Sequence, residues 1–97
     1  MDRAQVVELL RTHAPTLHAR FGTRCVGLFG SAARDQLRPD SDVDVVVEFE
    51  APPTVETYFG TKDYLEAVLG RPVDLVTSSG LKPRARAHVE RDLVRVA

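Results

Sequence analysis

The alternation of apolar and polar residues is clearest over residues 41–49, and it predicts a β-strand there. The odd-numbered positions from Val43 to Phe49 are all apolar, so one face of this strand is expected to pack on helices. The even-numbered positions include Asp42 and Asp44, which therefore point together to the opposite face. The strand is predicted to carry acids on one side and core residues on the other.

Similar patterns predict the remaining elements. Asp2 and Gln5 form a capping box for a first helix that runs to about His13, and Pro15 is expected to open a second short helix that ends at Arg20. The other predicted elements are a strand over Arg24–Phe29, a short helix over Ser31–Asp35 capped by Ser31, a helix from the cap Thr54 to Leu69 that Gly70 ends, a strand over Val73–Thr77, a helix from Pro83 to about Asp92 and a small edge strand over Val94–Val96. This order predicts one α/β domain over residues 1–97, with a small mixed β-sheet flanked by helices.

Composition narrows the function classes. The chain has 97 residues and a net charge of −1, so no overall positive field favours nucleic acid, and no direct nucleic-acid binding is expected. No apolar stretch approaches the ~20 residues needed to span a bilayer, so no membrane partner is expected. The single cysteine, Cys25, excludes an internal disulfide and fits a reducing cytoplasm. We therefore expect a cytoplasmic protein.

The spacing of a Gly-Ser pair and an Asp-x-Asp motif carries the chemistry. Gly30-Ser31 ends an apolar run, and ten residues separate it from Asp42. A glycine lets the backbone approach a phosphate, and the start of a helix offers free N–H groups to its oxygens. Asp42 and Asp44 are two residues apart on a strand, so they share a face about 6–7 Å apart. Together these features predict a site for a metal ion and a triphosphate.

A third acid extends this prediction. Asp74 lies between Val73 and Leu75 in the later strand, where an unpaired carboxylate is costly. Two divalent cations held by Asp42, Asp44 and Asp74 would explain all three acids, because such a pair of ions clamps the attacking and leaving oxygens of an in-line displacement. The alternative interpretation pairs each acid with an arginine from elsewhere in the fold.

Two further residues are candidates for contacts with the nucleotide. Arg34 follows the Gly-Ser pair by one helical turn and is placed to reach a phosphate oxygen, although a solvated or salt-bridged arginine is an equal alternative. Ser41 is a candidate either for orienting Asp42 or for binding a phosphate, and capping its turn is the simpler interpretation.

The chain resembles a known family in these same segments. Its Gly30-Ser31, Asp42-Val43-Asp44 and Asp74 are similar to the motifs of the nucleotidyltransferase superfamily that includes DNA polymerase β. Over nearly its whole length it resembles the minimal nucleotidyltransferase (MNT) group of bacteria and archaea. The segments that carry this likeness are Phe29–Arg34, Pro39–Asp44, Val73–Val76 and Leu81–Pro83.

The resemblance implies a fold and an activity. It implies the nucleotidyltransferase fold, the Gly-Ser turn on the triphosphate, Asp42 and Asp44 as magnesium ligands and Asp74 as the third catalytic acid. MNT proteins are typically paired with HEPN ribonuclease toxins, so it also implies an adenylyltransferase that transfers AMP from ATP to a tyrosine of such a partner and forms a hetero-oligomer with it. Two alternatives stay open: a small-molecule nucleotidyltransferase of the aminoglycoside-modifying type, and a non-catalytic antitoxin that masks its partner by binding.

Overall fold

A computed structural model describes residues 1–97 as four α-helices and four β-strands. The helices are α1 (Arg3–Phe21), α2 (Gly30–Ala33), α3 (Val55–Leu69) and α4 (Pro83–Asp92). The strands are β1 (Thr23–Phe29), β2 (Val43–Phe49), β3 (Val73–Thr77) and β4 (Val94–Arg95), and a 3-10 turn over Ser78–Gly80 follows β3. None of the helices combines the length and the apolar character that a bilayer crossing requires.

The four strands form one mixed sheet in the order β3-β2-β1-β4. β1 is antiparallel to both β2 and β4, whereas β2 and β3 are parallel. The predicted α/β class with a small mixed sheet is therefore confirmed. The register sets Asp44 opposite Phe29 on one side and opposite Asp74 on the other, so the start of β2 lies at the centre of one end of the sheet.

The core lies between one face of the sheet and helices α1 and α3. Val43, Val45 and Val47 of β2 are at most 1% exposed, which confirms that the odd-numbered face packs inward. The helices contribute fully buried side chains to the same cluster, including Leu10 of α1 and Leu65 of α3. Because this face is filled with apolar groups, the acids Asp44, Glu48 and Asp74 are directed to the opposite face.

The prediction of two N-terminal helices was wrong, because α1 is continuous through Pro15. Val6, Leu10 and Leu17 are fully buried on one stripe of the helix, so apolar packing holds both halves on the same core. Pro15 lies on the exposed side and removes only the N–H that would bond the carbonyl of Arg11. The tertiary contacts outweigh the local cost of the proline.

The cap predictions for the two long helices are confirmed. Asp2 and Gln5 form a reciprocal capping box at the start of α1, and Thr54 caps α3 by accepting a hydrogen bond from the Thr57 N–H at 3.1 Å. Gly70 ends α3 with φ of 69°, a left-handed conformation that glycine adopts without strain.

Candidate active site

Three carboxylates converge at the end of the sheet where β2 and β3 begin. Asp44 is the second residue of β2, Asp74 is the second residue of β3, and the parallel register pairs them directly. Asp42 immediately precedes β2, because the strand begins at Val43 rather than at Ser41 as the sequence predicted. Asp42 and Asp74 are exposed, whereas Asp44 is half-buried. The structure thus pairs Asp44 with Asp74 in the sheet and places Asp42 just before the strand that carries Asp44.

The electrostatics of this cluster centre on Asp44. Burial raises the pKa of the Asp44 carboxyl above its ordinary value, and the nearby charges of Asp74 and Asp42 raise this pKa further. A hydrogen bond that protonated Asp44 donates to the Asp74 carboxylate acts in the same direction, and the positive charge of Arg34 opposes the shift. The cluster is therefore short of positive charge when all three acids are ionised.

Gly30 is held against this cluster by its backbone conformation. Its φ is +67°, a backbone conformation that residues with a Cβ rarely adopt. A Cβ at this position would overlap Asp44 Oδ2 and would lie 3.0 Å from Asp44 Cγ. From the sequence, the predicted role of Gly30 was to let the backbone approach a phosphate. The sequence did not indicate that the Asp44 carboxylate also needs the space that a side chain at residue 30 would fill.

Ser31 does not cap α2 as predicted. The helix begins one residue earlier, at Gly30, and its cap position is Phe29, which has an extended backbone and makes no side-chain hydrogen bond. Ser31 is half-buried as the second residue of α2, and its carbonyl accepts the Gln36 N–H at 2.8 Å. The predicted helix over 31–35 is thus a shorter one, because the chain turns away after Ala33 with Asp35 at φ of 60°.

Arg34 and Ser41, the two further candidates for nucleotide contacts, have different hydrogen-bond partners. The Arg34 Nη1 donates to Asp92 Oδ2 at 2.7 Å and its Nε donates to Gln36 Oε1 at 3.3 Å. The Ser41 hydroxyl accepts the Arg38 N–H at 3.2 Å, while the Ser41 N–H donates to the Arg38 carbonyl at 3.0 Å. Ser41 therefore closes the turn before β2, and Arg34 belongs to a small polar cluster beside α2.

Sequence reasoning missed Asp92, the residue that pairs with Arg34. The two residues are 58 positions apart, and Asp92 lies at the end of α4, where a charged residue is unremarkable in a sequence. The ion pair joins α4 to the chain segment that follows Gly30-Ser31. No local pattern marks such a contact, because it depends on where two distant elements meet.

The donor set of the acid cluster fits a hard divalent cation. Asp42, Asp44 and Asp74 offer only carboxylate oxygens, which are the ligands that Mg²⁺ prefers. No group of three or more His, Cys, Asp or Glu side chains in residues 1–97 already has the mutual geometry of a metal site. The fit thus rests on the chemistry of the donors and on the unrelieved negative charge around Asp44.

Known proteins match nearly the whole chain. The family model described as the nucleotidyltransferase domain matches residues 10–96. The protein adenylyltransferase MntA of Thermococcus cleftensis is 41% identical over 92 residues, which cover 95% of this chain and 93% of that protein.

Solved structures share the fold. One described as that of a minimal nucleotidyltransferase superposes with a TM-score of 0.80 at 39% identity, covering 97% of this chain and 95% of the other. A complex of a tri-AMPylated HEPN toxin of Shewanella oneidensis with its MNT antitoxin contains a chain that superposes with a TM-score of 0.69 at 17% identity, covering 94% of this chain and 71% of that one. This second likeness concerns the fold alone.

Proposed function

The chain belongs to the nucleotidyltransferase domain family, and we propose that it transfers AMP from ATP to a tyrosine hydroxyl of a partner HEPN ribonuclease toxin. It would act as the antitoxin of that partner and form a hetero-oligomer with it. The observation that carries this proposal is the pairing of Asp44 with Asp74 across parallel strands, directly beside the glycine that opens α2.

The choice of AMP and of a protein acceptor is supported by the relatives. The Thermococcus protein is named a protein adenylyltransferase, and the Shewanella complex holds a HEPN toxin that is AMPylated. Residues 1–97 form one four-stranded sheet and the helices around it. A protein acceptor supplies its own binding surface, and this favours a macromolecular acceptor over a small molecule.

The three acids are proposed to hold magnesium against the triphosphate. Asp42 and Asp44 would ligate the ions, and Asp74 would complete the set from β3. Two bound Mg²⁺ ions would neutralise the charge that develops on the α-phosphate and on the departing pyrophosphate. The raised pKa of Asp44 supports this assignment, because burial and the charges of Asp74 and Asp42 cause the shift and a cation beside the cluster would offset them.

The remaining residues are proposed to bind and orient the reactants. The backbone N–H groups of Gly30 and Ser31, with the Ser31 hydroxyl, would donate to the phosphate oxygens. Arg34 would add a charged donor, and Ser41 would hold the turn that presents Asp42. In the reaction, the tyrosine oxygen forms a bond to the α-phosphorus, the bond to pyrophosphate breaks, and Asp74 accepts the tyrosine proton.

We place this activity in the cytoplasm and without nucleic acid as a substrate. The net charge of −1 provides no overall attraction to a polynucleotide, and the single cysteine, Cys25, is free. Both statements are part of the proposal and follow from the composition of the chain.

Label transfer from [α-³²P]ATP tests the proposal. The chain is incubated with Mg²⁺, the labelled ATP and the HEPN-domain protein encoded beside its own gene, and the products are resolved by electrophoresis and mass spectrometry. We expect label on the partner, located on a tyrosine as AMP. A parallel reaction contains kanamycin, an aminoglycoside, as a small-molecule acceptor. Label on kanamycin but not on the partner protein would establish the small-molecule alternative.

A separate experiment tests the alternative that the chain is a non-catalytic antitoxin that masks its partner by binding. The same mixture is assayed for inhibition of the partner's ribonuclease activity, with wild-type chain and with the Asp44→Asn variant. We expect inhibition to require ATP and an intact Asp44. Equal inhibition by both forms at equal stoichiometry, without label transfer, would show that the chain works by binding alone.

A further inference from the structure

The short helix α2 depends on other parts of the fold for its position. It has four residues, too few to be stable by their own hydrogen bonds. On one side it is tied to the start of α1, where Arg3 Nη1 donates to the Ala33 carbonyl at 3.2 Å and the Arg3 N–H donates to Asp35 Oδ1 at 2.8 Å. On the other side, the tie runs through Arg34 to Asp92.

The guanidinium of Arg34 is anchored through two of its three nitrogens. Nη1 is bound to Asp92 and Nε is bound to Gln36, while Nη2 makes no hydrogen bond within the chain. The side chain is 42% exposed, so the guanidinium is accessible from solvent. An arginine held in this way keeps N–H groups available in a fixed direction, which lowers the entropy lost when an anion binds.

The contact with Asp92 is the stronger of the two anchors. Its N–O distance is 2.7 Å, and the Asp92 side chain is only 17% exposed, which are the conditions under which a charge-assisted hydrogen bond is strong. The pair formed by Arg24 and Glu48 is a useful comparison, because it is longer, at 3.2 Å, and its side chains are 56% and 40% exposed. Surface pairs of that kind contribute little.

The anchored guanidinium lies next to the acid cluster. Arg34 is one turn after Gly30, with its N–H bonded to the Gly30 carbonyl at 3.2 Å. Burial and the neighbouring acids raise the pKa of the Asp44 carboxyl, and the Arg34 charge partly offsets that rise. The free donors thus belong to the residue that directly follows the short helix beginning at the proposed phosphate site.

We propose that Asp92 is a positioning residue that holds the Arg34 guanidinium for the triphosphate of the bound nucleotide. This inference rests on the proposed function, since it assigns the anion that Arg34 receives. Asp92 does not touch the nucleotide; it acts by fixing Arg34 before the nucleotide arrives. Through this ion pair, the end of α4 takes part in nucleotide binding although it carries none of the motif residues.

The test is a double-mutant cycle on Asp92 and Arg34. Binding of Mg²⁺–ATP is measured by calorimetry for wild type, Asp92→Asn, Arg34→Ala and the double variant, and the KM for ATP and the kcat are measured in parallel. We expect Asp92→Asn to weaken binding about three- to tenfold and to raise KM with kcat nearly unchanged. In the Arg34→Ala background, Asp92→Asn should have almost no effect on ATP binding, because the guanidinium that Asp92 positions is absent.

Glu48→Gln is the matched control, since it removes the carboxylate of an exposed ion pair and should leave ATP affinity unchanged. The proposal is overturned if Asp92→Asn leaves ATP binding unchanged or tightens it, which would mean that Asp92 withholds Arg34 from the nucleotide. The proposal is also overturned if Asp92→Asn still lowers the affinity for ATP in the Arg34→Ala background. Because binding is read separately from transfer, a wild-type chain that binds ATP but transfers nothing would contradict the proposed function while leaving the role of Asp92 open to this same cycle.

Discussion

The carboxylate of Asp44 occupies the space that a side chain on residue 30 would need. Gly30 has φ of +67°, and an added Cβ would overlap Asp44 Oδ2. The glycine of the Gly-Ser pair and the second acid of the Asp-x-Asp motif therefore depend on each other through direct contact. The two motifs, separated by ten residues in sequence, form one structural unit.

Replacing Gly30 tests this dependence. We expect Gly30→Ala to lower the free energy of unfolding by more than the ~1–2 kcal/mol that a left-handed conformation alone costs, because the Asp44 carboxylate must also move. Nucleotidyl transfer should fall sharply for the same reason. Urea denaturation and the label-transfer assay measure the two effects.

Gly22→Ala is the control for Gly30→Ala. Gly22 has φ of +74°, but nothing lies within 4 Å of a Cβ added there. It should lose only the conformational contribution and keep full activity. Equal losses of stability and activity in the two variants would contradict a specific contact between Gly30 and Asp44.

The acid cluster should make the metal-free protein less stable at neutral pH. Since folding raises the pKa of Asp44 above its ordinary value of 3.8, Asp44 favours the folded state while protonated, and this contribution is lost as the pH rises through the folded-state pKa. Asp44→Asn should therefore raise Tm in EDTA at pH 7, and the advantage should shrink as the pH falls toward 3.8. A gain of about 1 kcal/mol would appear as roughly 4–8 °C in a thermal melt.

Magnesium should make the wild type more stable than Asp44→Asn, the opposite of the order of Tm values in EDTA. Added Mg²⁺ stabilises the folded state of a protein that binds it, so Tm of the wild type should rise with Mg²⁺ concentration while Tm of Asp44→Asn stays nearly constant. Asp63→Asn, an exposed acid on α3, serves as the control and should respond as the wild type does. A variant Asp44→Asn that is less stable than the wild type in EDTA would contradict the electrostatic account.

Pro15 should limit the stability of α1. It lies on the exposed side inside a helix of 19 residues, where a proline leaves one carbonyl without its hydrogen bond. We expect Pro15→Ala to raise the free energy of unfolding by about 1–3 kcal/mol in urea denaturation, with the m-value unchanged. Pro83→Ala, at the first turn of α4, should give no such gain, because a proline is well suited to that position.

The sequence predicted the parts of the fold that local patterns determine. The alternation in β2 placed Asp42 and Asp44 on the face opposite the core, and the isolated acid in β3 pointed to Asp74 as their partner. The caps at Asp2 and Thr54 were predicted because each depends on residues within one helical turn.

The parts that failed depend on contacts between distant segments. Pro15 predicted a helix boundary, but the buried Leu10 and Leu17 on either side hold α1 in one piece. Ser31 has the chemistry of a cap, yet α2 begins one residue earlier, at Gly30, which lies against the distant Asp44. Asp92 had no signal at all, since its role is set by where the end of α4 meets Arg34.

The most direct measurement is the transfer of labelled AMP by single acid-to-amide variants. Asp42→Asn, Asp44→Asn and Asp74→Asn are compared with wild type and with the exposed control Asp63→Asn, using the same partner, Mg²⁺ and [α-³²P]ATP. We predict that each of the three acid-to-amide variants of the cluster folds as the wild type does by circular dichroism and loses transfer by at least about 100-fold, while Asp63→Asn keeps full activity. Full transfer by either Asp42→Asn or Asp44→Asn would show that the cluster at the start of β2 and β3 is not the catalytic site.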